Sequence, residues 1–279
     1  MSDQAPNFGR RGRAAARLAR LRRLRRIPLR YVLPNLVTLL ALCLGLTAIR
    51  LATEAQYENA VMAIVAAAIL DGLDGRIARA LHGASRFGAE LDSLADFVDF
   101  GVAPALLLYF WSLRDHRSLG WIAALIFVVA CALRLARFNV LADDKNSPAW
   151  MGRFFVGMPA PAGAITAMLP LYLHFAIGLP DRPWVSLVEI AYLLAIAFLM
   201  ASRIPHFSGK KIGRVPREWL LPVLLGFMAT LLLVAAFPTQ MLAALSLAYL
   251  GLIPVSIREY RRCVKAQDEA AKAETPPAP

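Results

Sequence analysis

The chain has few of the residues that usually build metal or disulfide frameworks. Its three cysteines, Cys43, Cys131 and Cys263, are odd in number and scattered, without a C-x-x-C pair, which argues against both a disulfide scaffold and a zinc site. The first two read instead as small buried hydrophobes. Charged residues make up only 18% of the 279 positions while 58% are hydrophobic, and mean hydropathy is +0.54. No stretch reads as a separate water-soluble domain, and a single soluble domain of this composition is excluded. No internal repeat is apparent, which weakens a transporter built on inverted repeats. The basic N-terminus lacks a following short apolar run with a small-residue cleavage site, so it does not read as a cleavable signal peptide. Acidic residues are outnumbered 19 to 31, giving a net charge of +12. Ten of the basic residues are arginines between Arg10 and Arg30, an arrangement that points to topology and lipid rather than to nucleic acid.

What the chain does have is apolar segments. Crossing the hydrocarbon takes about 20 residues, and eight segments approach that length, near 33–51, 59–80, 92–112, 119–140, 155–178, 184–202, 219–237 and 239–258. The expected fold is therefore all-α, a polytopic membrane helix bundle of about eight spans. Pro159, Pro161, Pro170 and Pro180 interrupt the fifth and sixth. With the N-terminus inside, 27 Lys and Arg fall on the cytoplasmic side and only Arg50, Arg114, Arg117 and Arg182 outside, in accord with the positive-inside rule. Both termini are then cytoplasmic. Residues 1–30 form a basic arm, read either as an interfacial helix on anionic membrane lipid or as a disordered tail. Residues 31–260 form the membrane domain, and 261–279 a polar tail expected to be disordered.

The chemistry concentrates between Asp71 and Asp96. Asp71 and Asp74, three residues apart, share one helix face, as do Asp92 and Asp96, four apart. Both pairs lie at the ends of apolar segments. Carboxylates beside lipid are costly and normally face a bundle interior or a wet cavity, and four converging carboxylates repel unless a hard cation joins them. Gly72 and Gly75 allow close approach to the backbone, and Arg79 suits a phosphate. Acidic groups for metal beside a base for phosphate are the ingredients of phosphoryl transfer at the cytoplasmic edge. Asp99, one turn beyond Asp96, reads as a supporting partner rather than a ligand.

Asp71, Asp74-Gly75, Ala78-Arg79, Gly88, Asp92 and Asp96 match D-x2-D-G-x2-A-R-x8-G-x3-D-x3-D, and so resemble the CDP-alcohol phosphotransferase family. The resemblance implies that Asp71, Asp74 and Asp92 ligate two divalent cations, Mg²⁺ or Mn²⁺. Asp96 would complete the metal shell and serve as the catalytic base. Gly75, Arg79 and Ser85 would contact the CDP moiety, with Asn35 and Thr38 of the P-N-L-V-T run lining the nucleotide pocket. A homodimer is likewise implied.

Two further segments, R-L-A-R-F-N (Arg134–Asn139) and F-V-G-M-P-A-P-A-G-A (Phe155–Ala164), resemble bacterial members that take CDP-diacylglycerol as donor and L-serine as acceptor, which implies the bacterial inner membrane. Arg134 and Arg137, one turn apart, with Asn139 nearby, suit the carboxylate of an amino acid, although arginines that merely anchor the helix end are an equal alternative. His206 reads as a loop or interface residue. Other acceptors stay open: glycerol 3-phosphate, choline or an inositol phosphate, the phosphorylated ones needing a further basic cluster such as Arg203–Arg217. A carboxylate relay for ions or protons is the alternative from another class.

Overall fold

A computed structural model of the chain describes residues 29–83, 85–142, 154–178, 183–207 and 217–274. Residues 1–28 of the basic arm, and 208–216 of the second basic cluster, lie outside the described residues. In chain order come α1 (Leu29–Thr53), α2 (Tyr57–Ala80), α3 (Arg86–Phe97), a π-helical turn (Val98–Val102) and α4 (Ala103–Trp111). A 3₁₀ turn (Leu113–His116) leads to α5 (Ser118–Ala142), then β1 (Phe154–Val156), α6 (Ala160–Ala167), α7 (Leu169–Ile177) and α8 (Pro183–Ala201). The chain continues through β2 (Pro205–Phe207), α9 (Arg217–Ala236) and α10 (Pro238–Glu274).

The all-α membrane architecture is as expected. Among the described residues, six stretches are long and apolar enough to cross a membrane: Val32–Thr53, Arg86–Trp111, Ser118–Leu141, Ala160–Ile177, Trp184–Ala201 and Pro238–Lys265. The expected second span corresponds to α2, which carries Glu58, Asp71, Asp74, Arg76 and Arg79, and the seventh to α9, Arg217–Ala236. The fifth segment starts at Ala160 rather than 155, since β1 and Pro159 precede the helix, and it breaks at Met168 ahead of Pro170. The expected polar tail is helical as far as Glu274, continuing α10. At 1.5 Å per residue, its 37 residues measure roughly 55 Å, so its polar end projects well beyond a 30 Å hydrocarbon layer.

Small side chains set the helix spacing. Buried Ala48 and Ala52 of α1 and Ala60 and Ala63 of α2 let two backbones approach closely. A Cβ on Gly45 of α1 would overlap Asp99 Oδ1 in the π turn, and one on Gly101 would lie 3.2 Å from Cys131 of α5. The π turn thus sits wedged between α1 and α5. Phe100, Phe127, Leu107, Met158, Tyr172 and Met200 fill the core. Leu39, Ile122, Val129, Phe198 and Leu252 lie on the outside, where lipid suits them.

A short antiparallel ribbon closes one end, pairing Phe155 with His206 and Val156 with Pro205. Gly157 follows at φ +81°, and its N–H donates to the Ile204 carbonyl at 3.0 Å. Any side chain there would press on the Met200 and Ser202 carbonyls at 2.8 Å, so the turn requires glycine. The ribbon pins the start of α6 to the end of α8.

Candidate active site

Helix α2 ends just after Arg79. The Leu81 and Gly83 amides fold back onto the Ile77 and Ala78 carbonyls, both at 2.9 Å, with His82 in the left-handed position at φ +49°. Ser85 then caps α3 by accepting from the Gly88 amide at 3.0 Å. This tight reversal aligns the acidic end of α2 with the acidic face of α3. One oxygen each from Asp71, Asp74 and Asp92 gather within 4.8 Å of one another. The Asp96 carboxyl lies next to that of Asp71.

Helix α1 supplies the third wall. Thr38 Oγ1 donates to Asp74 Oδ2 at 2.6 Å, fixing that buried carboxylate. Pro34 lies inside α1 rather than at its start, and its carbonyl also accepts from Thr38 at 3.1 Å. An octahedral Mg²⁺ or Mn²⁺ holds oxygens at about 2.0–2.1 Å, so oxygens facing each other across it lie about 4.2 Å apart. The three-carboxylate cluster, all hard oxygen donors, fits such an ion.

A cavity of about 230 Å³ opens beside the cluster, lined by Asn35, Thr38, Gly75, Arg79 and Ser85 together with Asp74, Gly88 and Asp92. The five donor-contact residues expected from the sequence are thus brought to one surface. The two motif glycines do different things there. No protein atom lies within 4 Å of a Cβ built on Gly75, which leaves open space for a ligand, whereas one on Gly88 would strike Asn35 Oδ1 at 2.9 Å.

Asp71, Asp96 and Arg134 lie outside this cavity's lining. Arg134 is buried, its guanidinium 5.4 Å from the Phe138 ring centroid and within electrostatic reach of Asp96, Asp71 and Tyr249. Its expected companions point elsewhere. Arg137 Nη1 donates to the Ala201 and Ser202 carbonyls at 2.8 and 3.0 Å, tying α5 to the end of α8. Asn139 Nδ2 donates to Ser93 Oγ at 2.9 Å.

Further groups sit in or near the site's surroundings. Asp99 is only 1% exposed, and its Oδ1 has no hydrogen-bond partner among the described residues. His206, expected as a loop or interface residue, is 2% exposed and stacks on Tyr249, with ring centroids 5.8 Å apart and planes 8° apart. Its Nδ1 lies 2.9 Å from the Tyr249 hydroxyl, and burial pushes the imidazole down to about 4. Cys43 is exposed rather than buried, while Cys131 is buried as expected.

Residues 31–201 match the family model described as CDP-alcohol phosphatidyltransferase. The chain belongs to that family. Three relatives of the family carry the name CDP-diacylglycerol–serine O-phosphatidyltransferase. One from Mycobacterium leprae is 43% identical over 233 residues, covering 82% of this chain and 76% of the relative. One from Helicobacter pylori is 34% identical, covering 79% and 88%. A third, from Bacillus subtilis, is 32% identical, covering 63% and 91%. The matched span of this CDP-alcohol phosphatidyltransferase contains the carboxylate cluster, the cavity and Arg134, whereas Tyr249 lies beyond it.

Proposed function

We propose that the chain transfers the phosphatidyl group of CDP-diacylglycerol to L-serine, giving phosphatidylserine and CMP. The observation that carries this reading is the convergence of Asp71, Asp74 and Asp92 beside a cavity that also bears Arg79. That pairing suits a pyrophosphate, and the family relatives named for serine transfer support the acceptor.

In this reading the cytidine end enters the cavity between Asn35 and Ser85, with Arg79 against a phosphate and Gly75 leaving the backbone open to it. Two divalent cations, Mg²⁺ or Mn²⁺, would be held by Asp71, Asp74 and Asp92 with Asp96 completing the shell, and would neutralise charge on the pyrophosphate. Asp96 accepts the proton of the serine hydroxyl as that oxygen bonds to the phosphorus of the diacylglycerol phosphate. The bond from this phosphorus to the CMP oxygen breaks, and CMP leaves with the electron pair. Arg134, on the Asp96 side, pairs with the serine carboxylate. The membrane domain spans 31–260, and the site faces the cytoplasmic, anionic-lipid side of the bacterial inner membrane. The working assembly is a homodimer.

Acceptor profiling tests the assignment. Purified protein given CDP-diacylglycerol, Mn²⁺ and labelled serine, glycerol 3-phosphate, choline or an inositol phosphate is expected to label lipid from serine alone. Lipid labelled from glycerol 3-phosphate with serine ignored would replace the serine reading by that of another acceptor.

A further inference from the structure

A carboxylate taken out of water needs more than one donor, since each unpaired lone pair carries a desolvation cost. Of the groups that the sequence offers for the serine carboxylate, Arg137 is engaged with two α8 carbonyls and Asn139 with Ser93. Arg134 remains, and its charge is already balanced in part by Asp96 and Asp71. One more hydroxyl comes within electrostatic reach of that guanidinium, Tyr249 on α10.

The surroundings of Tyr249 hold it rigidly. Its ring stacks on His206 of β2, and its hydroxyl is 2.9 Å from His206 Nδ1. The buried imidazole is neutral, so it carries one proton. Nε2 of His206 is buried with no partner among the described residues, and an orphaned N–H is rarer in buried sites than an orphaned acceptor. That favours the tautomer with its proton on Nδ1. The imidazole then donates to the phenol oxygen, and the phenol keeps its own proton for a ligand.

We infer that the Tyr249 hydroxyl, oriented by His206, joins Arg134 in binding the carboxylate of the acceptor amino acid. Tyr249 is thus a specificity-determining residue that separates serine from amino alcohols lacking a carboxylate, and His206 is a positioning residue acting through it. This assignment rests on the serine reading proposed above, and places the carboxylate end of that acceptor between Arg134 of α5 and Tyr249 of α10.

The test is a set of kinetic measurements on the full-length enzyme in detergent micelles. Tyr249→Phe removes one oxygen and keeps the stacked ring. It is expected to raise the KM for serine by about ten- to a hundredfold, the range for losing a hydrogen bond to a charged group, and to leave the KM for CDP-diacylglycerol unchanged. L-alanine, which keeps the carboxylate and lacks the reacting hydroxyl, should weaken as a competitive inhibitor by the same factor. Ethanolamine, which lacks the carboxylate, should inhibit both forms equally. His206→Phe should reproduce the serine effect, and His206→Asn, whose amide replaces Nδ1–H, should restore most of it. A serine KM within twofold of wild type in Tyr249→Phe, or equal weakening of alanine and ethanolamine, overturns the inference. A wild-type enzyme that ignores serine instead defeats the serine reading, so the two failures are distinct.

Discussion

Thr38 offers the cleanest perturbation of the carboxylate cluster, because its contribution rests on one short bond. Its hydroxyl donates to Asp74 Oδ2 at 2.6 Å, both residues are buried, and the donor stands on α1 while the carboxylate stands on α2. Valine has nearly the same shape as threonine and no donor. Thr38→Val therefore removes a charge-assisted bond worth about 1.5–3 kcal/mol and leaves Asp74 free to turn. Loss of a group that orients a metal ligand typically weakens metal affinity about 10- to 100-fold. Titrating the chelator-treated enzyme with Mn²⁺, and following free ion by electron paramagnetic resonance, should show that weakening in Thr38→Val but not in Thr38→Ser. Mn²⁺ affinity in the valine variant indistinguishable from wild type would show that the Thr38 hydroxyl does not hold Asp74 in its ligating position.

Other expectations follow from the same geometry. Asp96→Asn, which keeps the size of the side chain and loses the base, should lower kcat for serine transfer by at least about 100-fold with CDP-diacylglycerol binding retained, measured by steady-state kinetics and equilibrium binding. Gly45→Ala places a methyl group against Asp99 Oδ1. It should destabilise the fold by about 1–3 kcal/mol, read as a lower thermal midpoint in detergent, whereas Gly72→Ala, with no protein atom within 4 Å of the added carbon, should not. His206 is held down at about 4 against an ordinary value of 6.5, so the unfolded chain binds the proton more readily over that interval. Stability should then fall as pH drops from about 6.5 towards 4, and His206→Asn should flatten this dependence in a pH series of thermal melts.

The acidic cluster was legible because a short reversal links its two halves. Helix periodicity puts Asp71 with Asp74 and Asp92 with Asp96, and only the turn from Ala80 to Ser85 separates the helices. The cavity residues followed from the same motif, with Asn35 and Thr38 added through α1. Local cues also existed for the early start of α3, since Ser85 is a good N-cap; the hydropathy pattern alone begins later. Distant neighbours decided what was misplaced. Arg134 and Arg137 look alike on a helix, yet α8 claims the second through its terminal carbonyls. His206 and Tyr249 stand 43 residues apart, on β2 and α10, and no local pattern pairs them. The wedge of Asp99 against Gly45 likewise depends on how α1 crosses the π turn, which spacing along one segment does not encode.

The gathering of divalent cation by Asp71, Asp74 and Asp92 for phosphatidyl transfer is tested by labelled-serine incorporation into lipid by the purified enzyme after exhaustive chelation, followed by Mn²⁺ or Mg²⁺ titration of wild type and Asp74→Asn. No transfer is expected without metal, with saturable recovery in wild type and recovery in the variant that is absent or shifted to much higher metal concentration. Full transfer by the chelated enzyme, or identical recovery curves for the two proteins, would contradict it.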